Sequence, residues 1–159
     1  MAIDRERIRF LYRTEQGRID RATWLKGAGA LAAILAPFFV IWLALAPYTD
    51  HDLARDPFFM PMTAVAYAFV IFYSFVILLL AVSYVNLSAK RFRDLGRAAP
   101  VAFAGLAPLV ALIAGATHWL QPRVAEVMPR FWVWGVDAAL VAVVAWSFYE
   151  LGLKDHANA

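Results

Sequence analysis

Four stretches almost free of charge, residues 27–47, 62–86, 101–120 and 131–152, constrain this chain more than any other feature of its sequence. Each runs for about 20 residues or more. At about 1.5 Å rise per residue, a helix of that length crosses the roughly 30 Å hydrocarbon core of a bilayer. Lipid offers no water to bond backbone amides and carbonyls, so a run of this kind must close its hydrogen bonds internally, as a helix. The chain is 63% hydrophobic and 17% charged, against about 45–50% and 25% in soluble domains. Because the excess is concentrated in the four runs, it points to one all-α membrane domain spanning 1–159, a polytopic bundle of four transmembrane helices.

The charges between the runs orient it. Residues 1–26 carry Arg5, Arg7, Arg9, Arg13, Arg18, Arg21 and Lys26, and the 87–100 segment carries Lys90, Arg91, Arg93 and Arg97. With Lys154, one side of a four-span layout holds twelve Lys and Arg residues, whereas the loops 48–61 and 121–130 on the other side hold three. Basic residues are retained on the cytoplasmic side, so the layout predicts N-in and C-in. The charged first 26 residues lack the apolar core of a cleavable signal peptide. Ile8, Leu11 and Tyr12 recur at helical spacing there, which predicts a short interfacial segment. Asp20 is placed to cap a helix beginning near Arg21, and Trp24 then falls at headgroup level.

Within the spans, two small-residue stripes, Ala28/Ala32/Ala36 and Ala107/Ala111/Gly115, predict helix-packing faces. Pro37 and Pro108 are expected kink sites. The acidic loop contains Asp50-His51-Asp52. Adjacent residues do not converge on a metal from a regular element, and no metal site or cofactor is expected. The absence of cysteine removes disulfides, thiolate ligands and cysteine nucleophiles. His118 reads as an interfacial residue at a helix end. Asp137 is the one carboxylate well inside an apolar run, and such an acid is costly in lipid unless it is paired or functional. Arg130 and water are its expected partners. Glu150, near the other end of that run, is expected to pair with a basic residue of the 90–97 segment.

Two short motifs stand out on the predicted cytoplasmic face. One is Gly17-Arg18-Ile19-Asp20-Arg21 with Trp24. The other is Lys90-Arg91-Phe92-Arg93-Asp94-Leu95-Gly96-Arg97, placed in a loop between the second and third runs. Together with the four-span layout they resemble the small inner-membrane proteins called the domain of unknown function 805 family. Arg93 stands where that family usually has His, and Ala98-Ala99-Pro100 replaces its Ser-Gly-Trp portion. The resemblance implies a four-span, multi-pass protein of the bacterial inner (plasma) membrane and brings no activity with it.

The candidate site is therefore Gly17, Arg18, Asp20, Arg21, Trp24, Lys90, Arg91, Arg93, Asp94, Gly96 and Arg97. It is expected to form an ion-pair network, or a contact for anionic lipid or a protein partner, with Arg91, Arg93 and Asp94 facing Arg18, Asp20 and Arg21. No nucleophile–base set or phosphate loop is visible in the sequence, and topology accounts for the basic residues without nucleic acid. The expected role is non-enzymatic: an accessory or scaffold subunit of a membrane complex, or a homo-oligomer. Membrane lipids are expected partners, as is a protein held through small-residue helix faces. A small transporter or channel component working through Asp137 is the alternative.

Overall fold

The computed structural model describes residues 5–50, 54 and 56–154. Of the acidic loop, His51, Asp52 and Arg55 lie outside the described residues, as does the tail from Asp155. The described residues form five α-helices: α1 (Arg5–Arg13), α2 (Arg21–Leu45), α3 (Pro61–Asp94), α4 (Pro100–Leu120) and α5 (Phe131–Phe148). There is no strand among the described residues. A 3-10 turn, Ala46–Thr49, follows α2, and a second, Gln121–Arg123, follows α4. A π-helical turn, Tyr149–Leu153, extends α5.

The helices α2 to α5, with the turns that extend three of them, are long and apolar enough to cross a membrane. Their surfaces agree. Ile34, Val40, Leu43, Ile71, Phe75, Leu79, Leu109, Val141 and Val144 all turn outward. Helices this hydrophobic around their circumference are characteristic of lipid surroundings. This is a multi-pass helical membrane protein.

Local chemistry sets the helix ends. Asp20 caps α2: its carboxylate accepts the backbone N–H of Thr23 at 3.2 Å, the geometry expected of an N-cap. That bonding holds the Asp20 carboxyl below its ordinary value, with a lesser contribution from the Arg91 charge. Pro100 opens α4 at its first residue, where a missing N–H costs nothing. Gly96 closes α3 at φ +70°. Its N–H donates to the carbonyl of Arg93 at 3.1 Å, and the Arg97 N–H donates to Phe92 at 3.0 Å. These paired bonds are the Schellman arrangement, which needs a left-handed residue and so favours glycine. Gly17, at φ +101°, turns the chain between α1 and α2. A Cβ there would also stand 2.8 Å from the Phe10 ring.

Residues 87–94 therefore belong to α3, and the connection to α4 is only the short stretch 95–99. Helix α3 continues as helix to Asp94, well past the apolar run, whereas α2 begins at Arg21, where the cap at Asp20 predicts it. Loss of hydropathy marks where a helix leaves lipid, while capping chemistry marks where it stops.

The chain divides into two compact units: residues 29–82, and residues 1–28 with 83–159. In the first, Phe38 meets Phe72 and Tyr73 with ring centroids 5.9 and 6.4 Å apart. The Tyr67 hydroxyl there donates to the Thr49 carbonyl at 3.0 Å. In the second, α4 packs on α5. Ala104, Ala107, Ala114 and Thr117 are the buried residues of α4, with Val133 and Ser147 on α5. Only Ala107 of the predicted α4 stripe is buried. Ala111 and Gly115 are exposed, as are Ala32 and Ala36 on α2.

Candidate functional site

The most deeply buried stretch among the described residues carries two cations. Leu87, Ser88, Ala89, Lys90, Arg91 and Phe92 are all buried, with Lys90 0% and Arg91 2% exposed. A buried cation is tolerated only when its donors and charge are answered nearby. Here much of the answer comes from backbone carbonyls at the ends of two other helices.

Asn86, Lys90 and Arg93 are spaced four and three residues apart and so share one face of α3. That face takes the end of α1. The last carbonyls of any helix lack intrahelical donors, and here side chains supply them. Asn86 Nδ2 donates to the Tyr12 carbonyl at 2.9 Å. Lys90 Nζ donates to Leu11 at 3.2 Å, to Thr14, and to Asn86 of its own helix at 3.1 Å. Arg93 donates to the Glu15 carbonyl. The Thr14 hydroxyl covers the Phe10 carbonyl at 3.0 Å. Lys90 also lies 5.1 Å from the centre of the Phe10 ring. A helix C-terminus carries a partial negative charge, so these cations are matched to it. The Tyr12 hydroxyl adds a tie to α2, donating to Gly27 at 3.2 Å.

Arg91 faces the other way, toward the π-helical turn that ends α5. Its Nε donates to the Leu151 carbonyl at 3.3 Å and its Nη2 to Lys154 at 2.6 Å, while Nη1 pairs with Asp94. The planar fork thus binds one carboxylate and two carbonyls at once, which a lysine cannot reproduce. Next to it, Glu150 is buried and held by Arg97 at 2.7 Å and Lys154 at 3.3 Å. Trp24 packs inward, 3% exposed. Its indole N–H donates to Ser88 Oγ at 3.1 Å and its ring meets Tyr84 edge-on. The aromatic trio Phe92, Phe103 and Trp146 closes the far side, with centroids 5.8 to 6.0 Å apart.

The structure thus gathers most of the candidate residues, in a different arrangement from the one the sequence predicts. Lys90, Arg91, Arg93, Asp94 and Arg97 all take part, and Glu150 does pair with this segment, through Arg97. The N-terminal segment is joined to α3 by captured carbonyls at residues 11, 12, 14 and 15, a link that the expected facing of Arg91, Arg93 and Asp94 on Arg18, Asp20 and Arg21 does not contain. Asp20 itself feels Arg91 through space. Arg18 and Arg21 lie at the surface. Gly17 and Gly96 shape the backbone. Trp24 is a core residue, not a headgroup anchor. Asn86 and Ser88 are the side chains the sequence reading missed. Their spacing from Lys90, Arg91 and Arg93 on one helix was the available signal.

Asp137 stands apart from this hub. Both its carboxylate oxygens lie within reach of His118 Nε2, at 2.9 and 3.1 Å. His118, and not Arg130, is its partner. The pair ties α4 to α5 beside an open recess of about 200 Å³ lined by His118, Gln121, Pro122, Arg130, Val133 and Trp134. Arg123, near this end, lies over the Trp119 ring at 3.8 Å and donates to the Trp119 carbonyl at 2.6 Å. Comparison with protein-family models, with curated proteins and with solved structures gives no match to the chain.

Proposed function

We propose that this chain is a non-enzymatic protein of the bacterial inner membrane, N-in and C-in, acting as an accessory or scaffold subunit of a membrane complex or of its own homo-oligomer. The four spans form a bundle in this reading, and the motifs at 17–24 and 90–97 support it through their resemblance to the domain of unknown function 805 family. One observation carries the functional reading: Lys90 and Arg91 are buried and bonded to the ends of α1 and of the α5 turn. Cations in these positions hold parts of the chain in fixed relation and are closed to a substrate. A rigid cytoplasmic hub of this kind suits a subunit that presents surfaces to a neighbour. The outward apolar faces of α4, including Ala111 and Gly115, offer a place for a second helix to approach closely.

The test is isolation of the full-length protein from its native membranes in mild detergent. A stable co-isolated protein, or an oligomer of this chain by light scattering, is the expected result. A monodisperse monomer with nothing bound would overturn the scaffold role.

A further inference from the structure

With Lys90, Arg91 and Arg93 turned to carbonyls, a different set of cations is left on the surface. On α1, Arg5, Arg9 and Arg13 recur every fourth residue, and all three are exposed. Successive members are offset by about 40°, so they form one stripe about 80° wide. Among the described residues, none of these three side chains makes a hydrogen bond or an ion pair. Glu6 is the one acid on this helix. On the helical wheel Ile8 lies beyond one edge of the stripe and Phe10 beyond the other, and they are 44% and 42% exposed.

A nine-residue helix on its own would be marginal in water. Here α1 is mounted, because the carbonyls of residues 10, 11, 12, 14 and 15 all have side-chain donors. The stripe is therefore a fixed row of guanidinium groups flanked by apolar side chains. A row of this kind has a definite complement. Guanidinium groups bind phosphate oxygens through paired, charge-assisted hydrogen bonds. Exposed Ile and Phe side chains beside them suit the boundary between headgroups and acyl chains. Both surfaces are offered by a bilayer containing acidic phospholipid, and this chain is already embedded in a bilayer through α2 to α5.

We propose that α1 is a binding helix for acidic phospholipids, with Arg5, Arg9 and Arg13 on the phosphodiester headgroups and Ile8 and Phe10 at the acyl boundary. The proposal rests on the membrane assignment and is independent of the scaffold role. It relocates the lipid contact from the 90–97 motif, whose cations are occupied, to the N-terminal helix.

The test is native mass spectrometry of the full-length protein in detergent supplied with equal amounts of phosphatidylglycerol and phosphatidylcholine. The wild type is expected to retain phosphatidylglycerol preferentially. R5Q/R9Q/R13Q is expected to lose that preference, by up to about five-fold per arginine removed, with unchanged thermal melting. R5K/R9K/R13K, which keeps the charge, is expected to retain most of it. Equal uptake of the two lipids by the wild type, or an undiminished preference in R5Q/R9Q/R13Q, would overturn the proposal. So would loss of a co-isolated acidic protein from R5Q/R9Q/R13Q with lipid preference intact, which would make the stripe a protein contact. A monomeric but phosphatidylglycerol-selective protein would contradict the scaffold role alone.

Discussion

Arg91→Met is expected to lower the melting temperature by about 10 °C, read from the intrinsic fluorescence of the six tryptophans in detergent. The side chain is 2% exposed, so its bonds are made out of reach of water. Removing the guanidinium strands the Asp94 carboxylate and the carbonyls of Leu151 and Lys154 at once. Breaking a buried pair by deleting one partner costs about 3–5 kcal/mol, because the surviving charge is left uncompensated. Arg91→Lys is expected to fall between wild type and R91M: it keeps the charge and loses the fork. R91M/D94L is expected to recover much of the loss, since neither charge then remains buried alone. A melting temperature unchanged in R91M would show that the hub does not hold the end of α5.

Lys90→Met acts on the other helix. It removes the donors to the Leu11 and Thr14 carbonyls. An unsatisfied buried acceptor costs about 1–3 kcal/mol. Releasing α1 into water avoids that cost, because the freed carbonyls are then hydrated. The expected outcome is local undocking with the spans intact. Trypsin cleavage within residues 5–13 should accelerate about 10- to 100-fold, the equivalent of about 1.4–2.8 kcal/mol of lost docking free energy, while global melting moves less than in R91M. Lys90→Arg, which keeps a cation and several donors, should cleave more slowly than K90M. Cleavage at the wild-type rate in K90M would mean that α1 is held by something other than its captured carbonyls.

These two variants also mark where reading the sequence worked and where it stopped. The spans were legible because hydropathy acts residue by residue, and about 20 apolar residues have few alternatives to a membrane helix. Asp20 was legible as a cap because its partner, the Thr23 N–H, is three residues away and local. Glu150 pairing with the 90–97 segment followed from charge alone. The end of α3 was misread because Ser88, Lys90, Arg91, Arg93 and Asp94 end the apolar run without ending the helix. The stop lies at Gly96, a residue whose left-handed preference was in plain view.

The targets of Lys90, Arg91 and Arg93 were not legible at all. A carboxylate partner announces itself by residue type, but every residue has a carbonyl, and only the fold decides which ones are left without donors. The same applies to Asp137. The pattern marked it as an acid needing a partner, and only the packing of α4 on α5 brings His118 to it across 19 residues of sequence. The exposed row of Arg5, Arg9 and Arg13 was present in the spacing throughout. It becomes distinct from the other N-terminal charges once α1 is seen to be fixed at its far end.

The central claim is that the basic segment is an internal hub and not a surface charge patch. The chain contains three lysines, Lys26, Lys90 and Lys154. Lys26 and Lys154 are exposed, whereas Lys90 is fully buried. Labelling of the detergent-solubilised protein with an amine-reactive reagent, followed by peptide mass spectrometry, therefore carries its own internal controls. The account predicts rapid modification of Lys26 and Lys154, with Lys90 protected until the protein is unfolded. Modification of Lys90 at a rate matching Lys26 in the folded protein would contradict it.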